Sequence, residues 1–179
     1  MSPILATALG VAVLAGVATW LFVATGLLLL WAAFVAWGCF FHLGGDRLAF
    51  VTQIRCNTFG SLVGTLCGAA ILCMPNIPGL HGPVWAGLCV AIAVVVYICA
   101  SQNKLLGSIP AITYGFACTF AYLTQNPNIF TLRAITSFSL NNAFITVSLS
   151  MMIGAGFAFT SAWLSVFITG RAEIPRVSV

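Results

Sequence analysis

The sequence predicts an all-α, polytopic membrane protein with about six transmembrane helices. Three observations carry this reading. The 179 residues are 61% hydrophobic and 4% charged, where a soluble domain carries about a quarter charged residues. Mean hydropathy is +1.14, more apolar surface than one small globule can hide. The apolar residues also come in long runs, not in the alternating segments of about 10 residues that build a membrane barrel.

A helix needs about 20 apolar residues to cross the hydrocarbon core. Residues 3–43 form a run twice that long. It turns once at Ala24-Thr25-Gly26, predicting spans over 3–23 and 27–43. A third span over 48–73 stops at MPNIPGLHGP, whose prolines and glycines break a helix. A fourth covers 84–100 and ends at SQNKLLGSIP; a fifth covers 108–124 and ends at QNPN; a sixth covers 143–169. Residues 126–142, NPNIFTLRAITSFSLNN, are too mixed for a span and suit a short amphipathic helix at the periplasmic surface. The opening MSPILATALGVAVLAG has no Lys or Arg, so it reads as a retained first span, not a signal peptide. The division is one transmembrane domain over 1–170 and a short tail over 171–179. WAAF at 31 and WAGL at 85 open the second and fourth spans, so the six also group as three helical hairpins in a parallel repeat.

Orientation follows from the cations, because Lys and Arg concentrate on the cytoplasmic side. With six spans, Arg47, Arg55, Lys104, Arg171 and Arg176 share one side, and Arg133 stands on the other. Both termini are therefore expected in the cytoplasm.

Three stretches carry a resemblance. They are GLLLLWAAF at 26–34, FFHLGG at 40–45, and PAITYGFACTFA from Pro110 to Ala121, which has the form P-x4-G-x3-TFA. With these the chain resembles the YcdZ-type family of small bacterial inner-membrane proteins, over most of its membrane portion. It departs from the pattern by its longer segment at 126–142. The resemblance implies a small multi-pass protein of the bacterial inner membrane and implies no substrate.

Candidate functional residues come from polar groups and glycines inside the runs. Gly60, Gly64 and Gly68 form a stripe at four-residue spacing, the pattern that lets two helix backbones approach closely in lipid. The partner is open: another helix of the same subunit, a second subunit, or a pore wall. His42 sits a turn inside the GGDR edge, where it either marks the interface or senses pH at a mouth. Gly44-Gly45 releases the helix there and leaves amides available to a carbonyl or an anion. Arg55 lies about 10 Å along the third span. It either snorkels to the headgroups or faces a wet cavity with Gln53, Asn57 and Thr58. Thr113, Tyr114 and Thr119 supply hydroxyls, with Gly115 beside them, which either line a path or bond their own backbone. Phe40, Phe41 and Tyr114 are candidate walls of a narrow filter.

The absences narrow the function. No Asp or Glu lies within a predicted span; Asp46 is in a loop and Glu173 in the tail. Proton-coupled carriers relay through such groups. No nucleotide-binding or hydrolase motif is present, so no enzymatic activity and no cofactor are expected. The seven cysteines form no CxxC pair, so no metal site is expected. A net charge of +4, scattered along the chain, does not suggest nucleic acid. The leading expectation is a passive channel or facilitator for a small neutral or weakly acidic solute, of the urea, amide or short carboxylate class. Selectivity would come from pore width and lining hydrogen bonds. The alternatives are an ion-coupled small-solute transporter and a non-transporting membrane subunit that binds a partner. Expected partners are the lipid bilayer, the solute and further copies of the chain in a homo-oligomer.

Overall fold

A computed structural model describes residues 3–125 and 127–169. The tail over 171–179, with Arg171, Glu173 and Arg176, and also Asn126, lie outside the described residues. Among the described residues all regular structure is helical. The helices are α1 (Pro3–Thr25), α2 (Leu30–His42), α3 (Arg47–Leu72), α4 (Gly82–Ala100), α5 (Ile109–Gln125), α6 (Leu132–Thr136) and α7 (Ala143–Thr169), with a 3-10 turn at Lys104–Leu106. Three of them are long and apolar enough to cross a membrane: Ile4–Thr25, Gly82–Ala100 and Ala143–Ile168. The short amphipathic helix expected in 126–142 is a single turn and a half, the five residues of α6.

Each helix end has a local cause. α1 stops at Gly26, which takes the left-handed conformation at φ 61° that a side chain disfavours. α2 starts where the Leu29 N–H donates to the Ser150 hydroxyl at 3.0 Å, so a side chain from α7 accepts from an amide that α2 itself leaves unused. α2 ends on Gly44 (φ 106°) and Gly45 (φ 71°). Their N–H groups donate to the Phe41 and Phe40 carbonyls, each at 3.0 Å, closing the helix in a Schellman turn. The helix's own carbonyls thus take the two amides that the sequence left open to an anion. α3 starts on Asp46, whose Oδ1 accepts the Ala49 N–H at 2.7 Å, and α5 starts on Ser108 in the same way. Asp46→Ala should therefore lower stability by about 1 kcal/mol, with Asp46→Asn close to the parent. Thermal unfolding in detergent would check it, and equal losses for both variants would count against the cap.

The contacts divide the chain into two compact units, with the division inside α3 and α7. The first unit contains α1, α2, α3 as far as Ile54, and α7 from Leu149. Its core is Ala18, Trp37, Phe40, Ala49, Ala158 and Ala162, with Phe41, Phe50, Phe157 and Phe159 against it. Trp37 stacks on Phe34 and Phe157 at 5.9 and 6.2 Å between ring centroids. Small residues bring the helices together: a Cβ at Gly154 would overlap the Ala33 backbone, and one at Gly10 would come within 2.9 Å of the Ser161 carbonyl oxygen.

The second unit contains α3 from Arg55, then α4, α5 and α6, and α7 as far as Ser148. Here α3 crosses α5 at backbone contact. A Cβ at Gly60 would overlap the Ile112 carbonyl oxygen, and one at Gly115 would overlap the Asn57 carbonyl oxygen. Gly64 faces Phe116 and Thr119, and Gly68 faces Leu123, so the glycine stripe of α3 lies along α5. The Trp85 indole donates to the Ala70 carbonyl at 3.0 Å and ties the start of α4 to the end of α3. Asn142 holds the segment after α5 in place. Its Nδ2 donates to the Ile135 and Ser137 carbonyls at 2.7 and 2.8 Å, while its Oδ1 accepts from Phe144 N–H at 2.9 Å and caps α7.

Candidate functional site

α3 carries the polar residues that matter most. Gln53, Asn57, Ser61 and Thr65 recur every four residues, so they stack on one face over four successive turns. All four are buried, with exposures of 0%, 3%, 0% and 5%. The exposed side of the same helix is apolar at Leu48, Val51, Leu62 and Leu66. α3 thus buries these four polar side chains and exposes apolar ones together with Arg55.

Part of this polar stripe is closed by α5. The Thr119 hydroxyl lies 2.9 Å from Ser61 Oγ and 2.9 Å from the Gly115 carbonyl oxygen. The Thr65 hydroxyl donates to the Ser61 carbonyl at 2.8 Å. These groups satisfy one another, which the close α3–α5 approach at Gly60, Gly64 and Gly115 makes possible.

The first-unit end of the stripe is different. Both amide atoms of Gln53, Oε1 and Nε2, are buried without a hydrogen-bond partner among the described residues. So is the indole Nε1 of Trp37, in the same unit. In the second unit the Thr58 and Ser148 hydroxyls are in the same condition. Each buried polar atom left unpaired costs about 1–3 kcal/mol.

The remaining candidates are dispersed. Arg55 is exposed, two residues from Gln53 and hence about 200° around the helix from it. It does not share the face of Gln53 and Asn57. His42 is exposed at the end of α2. Phe40 is fully buried in the first unit, edge-on to Phe41 and Phe159 at 5.3 and 6.3 Å. Thr113 donates to the Ile109 carbonyl of its own helix at 2.9 Å, with Tyr97 Oη at 3.4 Å. Tyr114 is half-buried beside Gly115. Sequence reasoning named Gln53, Asn57 and Thr119 but passed over Ser61 and Thr65. The four-residue spacing of the α3 stripe was the signal that could have found both.

Three helices long and apolar enough to cross a membrane, with all regular structure among the described residues helical, define the class as an all-helical membrane protein. Its family can also be stated. The family model described as "Protein of unknown function (DUF1097)" matches residues 8–166, and the chain belongs to that family. No curated protein and no solved structure is similar enough to count as a match.

Proposed function

We propose that the protein is a passive channel or facilitator for a small neutral or weakly acidic solute. The observation that carries this is the α3 stripe of Gln53, Asn57, Ser61 and Thr65, buried on a helix whose exposed face is apolar apart from Arg55. Ser61 and Thr65 bond within the α3–α5 packing, so the part of the stripe that packing leaves unexplained is its Gln53 end. Polar groups at membrane depth belong where protein or a water-filled cavity receives them. The neutral character of the stripe favours solutes without charge, and no carboxylate stands within the described helices to draw a cation or relay a proton.

The reading carries further elements. α2, α3 and α5 join α1, α4 and α7 as spans, giving six. Apart from Arg55 the exposed face of α3 is apolar, which supports this, since buried polar residues lower a helix's average hydropathy without meeting lipid. Arg55, exposed in the third turn of α3, would then snorkel to the headgroups. The protein would sit in the bacterial inner membrane as a homo-oligomer with both termini cytoplasmic, in keeping with the YcdZ-type likeness.

Stopped-flow light scattering on proteoliposomes tests it, with gradients of urea, acetamide, acetate and glycerol. The expected result is a non-saturating flux above empty liposomes for at least one of them. Flux that requires an ion gradient would replace the channel by an ion-coupled transporter. No flux in folded, oriented protein would leave a non-transporting subunit that binds a partner.

A further inference from the structure

The segment between α5 and α7 carries the most exposed large apolar side chain among the described residues. Phe138 is 99% exposed. Leu132 and Leu140 of the same segment are exposed, and so is Arg133 on α6. The opposite side of the segment is tied down. Ile135 is buried, and a Cβ at Gly68 of α3 would meet both Ile135 and Phe130. Asn142 holds the Ile135 and Ser137 carbonyls, and Tyr122 holds that of Leu140. The hydroxyls of Ser137 and Ser139 lie 2.8 Å apart and bracket Phe138. A fixed loop thus holds an apolar ring away from the rest of the chain.

We propose that this segment docks on the bilayer surface beside α7, with Phe138, Leu132 and Leu140 entering the headgroup layer and Arg133 pairing with lipid phosphate. Docking of this kind does not depend on whether the protein conducts a solute. Position is the first reason to choose lipid. Ala143 begins a helix long and apolar enough to cross a membrane. Just before it the Asn142 N–H donates to the Ser139 carbonyl at 3.0 Å and closes a turn. Such a turn spans under about 7 Å, and the residue at each end adds about 3.8 Å. Phe138 therefore lies within about 15 Å of the first residue of the span, before its ring is counted. That range overlaps the headgroup layer, which is about 5–8 Å deep on each face of a bilayer.

Charge is the second reason. No Asp or Glu occurs over 55–148, so no carboxylate of the second unit neutralises Arg133. A lipid phosphodiester supplies the missing charge, and a guanidinium meets phosphate oxygens with two parallel N–H donors. A second copy of this segment would bring another Arg133 and no acid. Phe and Leu beside a basic residue are also the composition of segments that lie in the plane of the interface, their apolar side groups sunk at the headgroup boundary.

Fluorine NMR on the full chain in phosphatidylcholine–phosphatidylglycerol nanodiscs tests this, with Phe138 replaced by trifluoromethylphenylalanine. The replacement is conservative and falls at an exposed side chain, so folding is not at stake. Two paramagnetic agents are compared: dissolved oxygen, which partitions into lipid, and a water-soluble nickel chelate. The ratio of the oxygen effect to the nickel effect should be at least about fivefold higher than for the free amino acid in buffer, as expected for a ring at the acyl boundary. A ratio equal to that of the free amino acid would put the ring in water and overturn the proposal. Loss of both effects would mean that protein covers the ring, and would overturn it as well. Arg133→Glu sets a carboxylate against the phosphates and should lower the ratio at least about twofold. A ratio unchanged by Arg133→Glu would overturn the pairing with phosphate.

Discussion

Gly115→Ala should unfold the α3–α5 crossing or abolish accumulation of the protein, although it adds a single methyl group. The new Cβ would overlap the Asn57 carbonyl oxygen, with the Asn57 Cα at 2.9 Å. Both are backbone atoms of a continuous helix and cannot swing aside as a side chain can. Gly60→Ala meets the same obstacle from the other helix, at the Ile112 carbonyl oxygen with the Phe116 nitrogen at 2.9 Å. Relief requires the helices to separate, which also parts Thr119 from Ser61. Overpacking a well-packed site typically costs 1–3 kcal/mol, and a backbone-on-backbone clash belongs at or above about 3 kcal/mol on that scale. Gly16→Ala and Gly156→Ala are the controls, because nothing lies within 4 Å of a Cβ built at either. Thermal unfolding of all four variants in one detergent gives the comparison. Equal melting temperatures for Gly115→Ala and Gly156→Ala would show that the crossing is looser than described. Gly68→Ala should fall between the extremes, since it meets the flexible end of Leu123.

Asn142→Leu should bring a loss of similar size by a different route. It removes two donated bonds, to the Ile135 and Ser137 carbonyls, and the acceptor that caps α7 at Phe144. Asn142 is buried, so the abandoned groups have little access to water. Each unsatisfied buried group costs about 1–3 kcal/mol, and a total near 3 kcal/mol follows once solvent reaches the more exposed members. Asn142→Asp separates the two roles. It retains the carboxylate oxygen as a cap but cannot donate to the two carbonyls while ionised. An intermediate loss is expected, with limited proteolysis appearing between α5 and α7 before the helices themselves open. Protection of that segment in Asn142→Asp equal to the parent would mean that the cap, not the tether, holds it. Tyr122 donates to the Leu140 carbonyl at 3.0 Å and supplies a second tether, so the segment should loosen without detaching.

Much of the helical plan can be read from composition and punctuation. The helices over Pro3–Thr25 and Arg47–Leu72 end near Gly26 and before MPNIPG, where glycine and proline make continuation unfavourable. The GGDR edge marks the end of α2 and the cap of α3 for local reasons that any reader of the sequence can apply. The use of the freed amides was not legible. Whether Gly44 and Gly45 donate to a ligand or back to Phe40 and Phe41 depends on dihedral angles, not on residue type.

By itself the sequence determined the class of the protein: hydropathy makes it a helical membrane protein, because an apolar run in lipid must satisfy its backbone internally. It also determined where the helices stop. Tertiary structure alone decided which face of each helix is inside. Arg55 and Asn57 are two residues apart and equally polar to a reader of the chain, yet one is exposed and the other buried. The helix period points them in different directions, and the approach of α5 selects between them. The same holds for the glycines. Gly16 and Gly60 are identical letters in similar surroundings, but Gly60 meets the backbone of α5 and Gly16 meets nothing within 4 Å. Close packing is a relation between two helices, and a linear pattern records only one partner.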